Sequence, residues 1–363
     1  MTTEMTELRY VDLKNSICHQ IYKGAYSDGE KIPSERQLAL DYNVSRITVR
    51  RALELLEEDD LIKREVGSGT QVQLRNWGNV TSLDVVALVA PSKNPFFVDF
   101  IAEFQKTAWE HDTLLLYVEV PIGTGLEDCL YQLYSKNIRN AVVWPDDQQV
   151  DTGRLLRLRS IGMNLVFFDT DDAYPYADCV FLDNEDAVKT LIERQENVHG
   201  RYLYIGWDNL AIKNVKKREE AFKKICPDSP VLELPWKRNR DVDEADIRRI
   251  RKAIEAMGEG LVICNTGETG HLAAKIISGM STAQDVNLAV VDDFEEAKNY
   301  PMAVYGQDLS GTAERIYMQL EAQIKKNKSW KAKNWAIKGN YIIYKGGQNG
   351  KSKSGISAAE NIK

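Results

Sequence analysis

Cysteine and histidine are scarce in this chain: its 363 residues hold five cysteines and four histidines. Cys18, Cys129, Cys179, Cys226 and Cys264 are widely scattered, with no C-x-x-C pair among them. That spacing excludes a disulfide framework and an ordinary zinc site, and it fits reduced thiols. Long apolar runs are missing too. Val85-Val86-Ala87-Leu88-Val89-Ala90 is far shorter than the roughly 20 residues that span a bilayer. The amino end carries Glu4 and Glu7 and lacks an apolar h-region, so no secretory signal is expected and a cytoplasmic location is. Neither a phosphate-cradling Gly-x-x-x-x-Gly-Lys nor a Gly-x-Ser-x-Gly elbow is present. An enzyme is therefore not expected, nor a metal or other cofactor.

What is present has the composition of a globular protein, 43% apolar and 28% charged, long enough for two or three domains. The net charge of -7 argues against general polyanion binding by the whole surface, so the placement of the positive charges matters more than their number. Between residues 31 and 53, Lys31, Arg36, Arg46, Arg50 and Arg51 face only Glu35 and Asp41, whereas residues 54–60 hold five acids and no base. One end of this segment suits phosphate and the other is turned from it.

The spacing explains why. Leu13, Ile17, Ile21 and Ala25 recur every four residues and mark an amphipathic helix over 10–27. Pro33 and Ser34, with Gln37 three residues on, make a capping-box start for a second helix that runs to about Tyr42. Ser45 caps a third, whose Val49, Ala52, Leu53 and Leu56 form the inward face. Arg46 and Arg50 lie one turn apart on another face and, with Thr48 and Arg51, offer a major-groove surface, because arginine bonds guanine bidentately and hydroxyls bond phosphate. Two β-like runs, Leu61–Val66 and Thr70–Leu74, are joined by Gly67-Ser68-Gly69, a tight turn. The whole reads as a winged helix-turn-helix over 1–76, followed by a linker over 77–84.

From residue 85 to 347 apolar strands alternate with amphipathic helices. The clearest strands are 85–90, 114–118, 141–144, 165–168, 202–205, 261–264 and 287–291. Helices are expected near 97–111, 126–136, 152–161, 185–196, 212–225, 243–257, 268–279 and 308–326. The fold class is α/β, with doubly wound parallel sheets in two lobes. Ligands in such folds sit beyond the carboxyl ends of strands, which nominates Asn94, Phe96, Trp144, Asp169, Trp207, Asp208, Asn265 and Asp292. Aromatic faces beside carboxylates and amides suit a polyhydroxylated ligand. Chain crossings between lobes are expected near 183, 304 and 328; the Lys-rich stretch 325–338 reads as a solvated helix end and hinge, and 348–363 as a flexible tail.

The run Pro33-Ser34-Glu35-Arg36, Val44-Ser45-Arg46, Thr48-Val49-Arg50, Ala52-Leu53 and Gly67-Ser68-Gly69-Thr70 resembles the GntR-type winged helix. That resemblance implies operator contacts by Arg36, Ser45, Arg46, Thr48 and Arg50, with Gly69 in a wing at the minor groove. Asp60 stands where the family often has glycine, and aspartate tolerates the left-handed conformation a helix end needs. The body is similar to the sugar-sensing domain of LacI/GalR-type repressors through Val89–Phe97, Leu182-Asp183-Asn184, Arg218 with Ala221-Phe222, Asn265, Asp292-Asp293 and Gln307-Asp308. It implies that Arg218 clamps adjacent hydroxyls while Asn265 and Asp292 bind others. Thr266 replaces the usual aspartate after Asn265, and no glycine precedes Asp292, which leaves open whether Asp292 or Asp293 faces the ligand.

The combination looks like the arabinose-repressor subfamily. It implies a homodimeric repressor of carbohydrate-utilisation genes that leaves double-stranded operator DNA when a monosaccharide, a pentose or deoxyhexose, is bound. Two rivals remain: a winged-helix regulator sensing a nucleoside or another non-sugar metabolite, and an enzyme fused to a DNA-binding head. The body is too short for the aminotransferase-like fusions known for this head.

Overall fold

Short runs of apolar residues buried on both faces make the central strands of this protein, and the helices between them are amphipathic. The computed structural model describes residues 2–65, 69–75, 82–91, 95–145, 148–195, 200–208, 213–235, 243–283 and 285–347. The head comprises α1 (Thr2–Tyr22), α2 (Glu35–Asp41), α3 (Arg46–Glu58), β1 (Ile62–Glu65) and β2 (Gly69–Val72). There follow β3 (Val85–Val89), α4 (Pro95–Glu110), β4 (Leu114–Val118), α5 (Leu126–Ser135), β5 (Asn140–Val143), α6 (Thr152–Ser160), β6 (Asn164–Phe168) and β7 (Asp178–Leu182). Next come α7 (Asn184–Glu193), β8 (Tyr202–Trp207), α8 (Lys213–Ile225), β9 (Val231–Leu234), α9 (Glu244–Met257), β10 (Gly260–Cys264), α10 (Gly267–Ser278), β11 (Val286–Val291) and β12 (Pro301–Gly306). The last are α11 (Leu309–Lys326), β13 (Asn334–Ile337) and β14 (Asn340–Lys345).

The chain forms two units, one of Met1–Asn184, Leu210–Lys217 and Gln307–Gly339, the other of Glu185–Asn209, Arg218–Gly306 and Asn340–Lys363. In the first unit six parallel strands run in the order β13-β7-β6-β5-β3-β4. In the second the order is β14-β12-β11-β10-β8-β9, parallel except for β14 against β12. Register sets the site: Cys264 at the end of β10 pairs with Ile205 and Val290, so the chain leaves β8, β10 and β11 at one level.

The head is not merely strung from the first unit. Its core residues Leu13, Ile17, Ile21, Tyr22 and Val49 belong to the same apolar cluster as Leu126, Leu130, Leu133, Leu155 and Leu158 of α5 and α6. Tyr22 stacks on Tyr131 with ring centroids 4.2 Å apart and 7° between planes. The Tyr22 hydroxyl donates to Asp128 and receives Arg154, whose guanidinium also reaches Asp128 at 2.5 Å. The Ser160 hydroxyl accepts from the Arg75 amide at 2.8 Å and bonds its carbonyl at 2.7 Å, pinning the chain as it leaves the head. The opposite side of α6 enters the unit's interior: Arg159, fully buried, donates to Gln323 and Asn164 and lies 4.4 Å over the Trp330 ring. Gln323 and Trp330 both donate to Asp178, whose carboxyl burial pushes up to about 6, while burial brings Arg159 down to about 9.

Several expectations change. The first helix stops at Tyr22, short of Ala25, because Gly24 takes φ +78° and its amide bonds back to Ile21. The capping box at α2 is half formed: Ser34 accepts from the Gln37 amide, but the Gln37 side chain donates forward to Asp41. Five strands absent from the sequence reading, β7, β9, β12, β13 and β14, complete the two sheets. The Lys-rich stretch holds β13, paired with β7, and the chain crosses at 339/340 rather than near 328. The other crossings fall at 184/185 and 306/307, close to those expected, with further ones at 209/210 and 217/218. Asp60 does adopt the left-handed conformation, φ +54°. Most of the expected linker, residues 77–81, and the tail 348–363 lie outside the described residues. No described helix is long and apolar enough to cross a membrane. All five cysteines are free and buried, and no cluster that could hold a metal occurs among the described residues.

Candidate nucleic-acid interface and ligand cluster

Ser45 starts α3 by accepting from the Thr48 amide at 3.1 Å, which frees the helix to begin on Arg46. Thr48, Val49, Ala52, Leu53 and Leu56 turn inward, so Arg46, Ile47, Arg50 and Arg51 are left outside. Arg50 approaches Glu35 at 3.4 Å, and Arg46 and Arg64 reach the same carboxylate at 4.0 and 3.7 Å. Glu35 at the first turn of α2 thus steers three guanidinium groups without burying them, a role the sequence reading missed. Arg36 is exposed on α2.

Two expected contacts are placed differently. Thr48 is 4% exposed and its hydroxyl lies 2.8 Å from that of Ser45, so it locks the helix start rather than lining the outer face. Arg51 pairs with Glu54 and Glu58 and lies over Tyr10, which draws it toward the acidic end of the helix. β1 and β2 pair antiparallel from Ile62 opposite Val72 to Glu65 opposite Gly69. Gly69 is exposed at φ +96°, a conformation that favours glycine. Gly67 and Ser68 lie outside the described residues.

In the second unit the level strand ends bring Trp207, Arg218, Asn265 and Asp292 together. Arg218 on α8 is 2% exposed and donates to Asp292 at 2.6 and 3.4 Å and to the Asn265 carbonyl at 2.5 Å. This is a two-pronged, charge-assisted pair. Asp292, not Asp293, makes it: the backbone turns at Asp292 with φ +72°, and Asp293 accepts instead from Tyr344 and the Phe294 amide. Asn265 is 1% exposed, its side-chain oxygen accepting from Thr269 at 3.1 Å. Gly206 makes room for it, since a Cβ there would lie 2.9 Å from Asn265 Nδ2.

Thr266, which stands where aspartate was expected, caps α10 in a reciprocal capping box with Thr269 and accepts from the Trp207 indole at 3.2 Å. The cluster therefore presents a guanidinium fork, a carboxylate, an amide and an indole whose polar edges are mutually fixed. Such a set can bond several hydroxyls of one small ring and cover an apolar face. Asp208, beside it, bonds Leu234 through its amide.

The remaining candidates belong to the first unit. Trp144 is buried in the cluster with Phe100, Phe104 and Phe168. Asp169 turns with φ +56° and accepts from the Asn214 side chain through its carbonyl and, at 3.0 Å, its carboxylate. Asn214 was missed in the sequence, although an asparagine one turn before Arg218 on α8 was available to be noticed. Asn94 lies outside the described residues, as does the side chain of Phe96 on α4.

Comparison with known proteins bears on each part. The bacterial regulatory proteins, gntR family, match residues 9–72. The uncharacterized HTH-type transcriptional regulator YurK of Bacillus subtilis is 51% identical over 65 residues, which are 18% of this chain and 26% of that protein. The match thus spans about a quarter of that relative's length. Among solved structures, the trehalose repressor from Escherichia coli aligns over 72% of this chain and 100% of its own, with TM-score 0.57 and 16% identity. The lac repressor dimer bound to operator and the anti-inducer ONPF aligns over 72% and 93%, with TM-score 0.57 and 11% identity. At those identities the likeness is one of fold. The chain carries a GntR-family helix-turn-helix domain at its amino end, followed by units of the LacI-type, periplasmic-binding-protein-like fold.

Proposed function

We propose that this protein is a sequence-specific transcriptional regulator, a repressor of carbohydrate-utilisation genes that releases its operator when a monosaccharide binds the Trp207, Arg218, Asn265 and Asp292 cluster. The observation that carries this reading is the single apolar core joining the DNA-reading head to a unit of ligand-sensing fold. Arg36, Ser45, Arg46, Arg50 and Gly69 are the residues assigned to DNA, and a pentose or deoxyhexose is the assigned effector.

The switch works by differential affinity. Sugar shifts the protein only as far as it binds the DNA-releasing arrangement more tightly, and operator weakens sugar binding by the same coupling, typically about 1–3 kcal/mol. Since α1 packs on α5 and α6, the head follows any movement of the first unit. One recognition helix reads one half-site, so the working form is a homodimer. Support for a second copy comes from the first unit's open edge, where Trp109 on α4 and Leu114 on β4 are 79% and 64% exposed.

The test is fluorescence anisotropy of full-length protein on duplex carrying its own promoter, at fixed salt, against a panel of pentoses, deoxyhexoses, nucleosides and small acids. The proposal expects tight binding that one sugar weakens by about 5- to 150-fold. Release by a nucleoside alone, or affinity indifferent to the whole panel, overturns the sugar reading.

A further inference from the structure

We infer that Ile47 reads the C5 methyl group of a thymine in the major groove, beside guanines read by Arg46 and Arg50. The inference rests on the DNA-binding reading above and adds a specificity element to it.

Ile47 is the second residue of α3, in the first turn after the Ser45 cap, and it is 79% exposed. Helices of this kind meet base edges with their N-terminal residues. Helical spacing places Ile47 three residues before Arg50 and four before Arg51, on the side opposite the buried Val49 and Leu53. Among the described residues Ile47 joins no buried core. A β-branched residue is a weaker helix former than the alanine or lysine that would serve a solvated position.

Its surroundings say what it meets. The two arginines next to it share the Glu35 carboxylate, at 4.0 Å from Arg46 and 3.4 Å from Arg50, and their forks suit guanine O6 and N7. Ile47 stands beside this charged pair as an apolar point, and the thymine methyl is the one apolar group that base edges offer in the major groove. Leu40, also exposed, is on α2 and lacks this placement, so it remains an ordinary surface leucine.

The experiment selects bound duplexes from a random library with full-length wild type and with Ile47→Ala, which leaves the core of α3 untouched. Each thymine of the wild-type consensus is then replaced by deoxyuridine, which lacks only the methyl. One thymine per half-site, adjacent to a guanine, is expected to lose about fourfold in wild-type affinity on replacement. Ile47→Ala should bind thymine and deoxyuridine duplexes alike while keeping the guanine preferences. Wild-type indifference to deoxyuridine at every position, or an equal loss in Ile47→Ala, overturns the inference. If wild type enriches no sequence at all, it is the DNA-binding reading that fails.

Discussion

Arg50 and Arg218 carry the same charge in opposite settings, and the difference decides what each can do. Arg50 is exposed and only loosely held by Glu35, so removing it should leave the fold alone. Arg50→Ala is expected to cost about 1–3 kcal/mol in specific operator binding, read by gel shift at one salt concentration, with sugar binding unchanged. Unaltered operator affinity would remove α3 from the DNA face. Arg218 is buried against Asp292, and cutting it to alanine would strip that nearly buried carboxylate of its guanidinium fork, a change that threatens the fold itself. Arg218→Lys keeps the charge and loses the fork. It should weaken sugar binding by roughly 10- to 100-fold in calorimetry, since bonds to charged groups contribute about 1.5–3 kcal/mol. Operator affinity without sugar should hold; a variant that bound sugar as wild type does would dismiss the cluster.

At the scale of elements, α6 has two faces with different duties. Arg154 and Ser160 hold the head, while Arg159 is threaded into the interior with Gln323. α5 completes the dock through Tyr131 and Asp128. If this contact makes head and first unit one cooperative body, they melt together. Tyr131→Ala, on α5 and outside the head itself, is expected to split the calorimetric transition into two, with the head melting first and its DNA binding retained below that temperature. A single unchanged transition would mean that the Tyr22–Tyr131 stack does not carry the coupling. What the sequence revealed follows the range of the interaction. The Ser45 cap, the inward stripe of α3 and the wing are fixed by residues within a few positions of each other, and they were legible. The dock was not, because Tyr22 and Asp128 stand 106 residues apart and neither looks unusual locally. The edge strand β13 was hidden by the lysines that flank it and by its half-exposed pattern, and Arg218, 74 residues from Asp292, entered only through resemblance.

At the scale of the whole molecule, DNA affinity depends on how many heads arrive together. A single head contacts one half-site, and a second, held at a fixed distance, binds as if at high local concentration. The first unit offers a place for that second copy: α4 and the outer strand β4 leave Trp109, Leu114 and Val98 in water, with Met318 of α11 also exposed. Apolar area of this kind gathers at interfaces, and tryptophan is prominent among the residues that hold them. An open strand edge also needs cover. Trp109→Glu combined with Leu114→Glu places two carboxylates where two copies would meet, without entering the core. Light scattering is expected to show a dimer for wild type and a monomer for the double variant. Operator binding should fall at least tenfold, while affinity for an isolated half-site stays the same and sugar binding persists. A double variant that remains dimeric would place the partner surface elsewhere, and a monomeric wild type with full operator affinity would show that one head suffices.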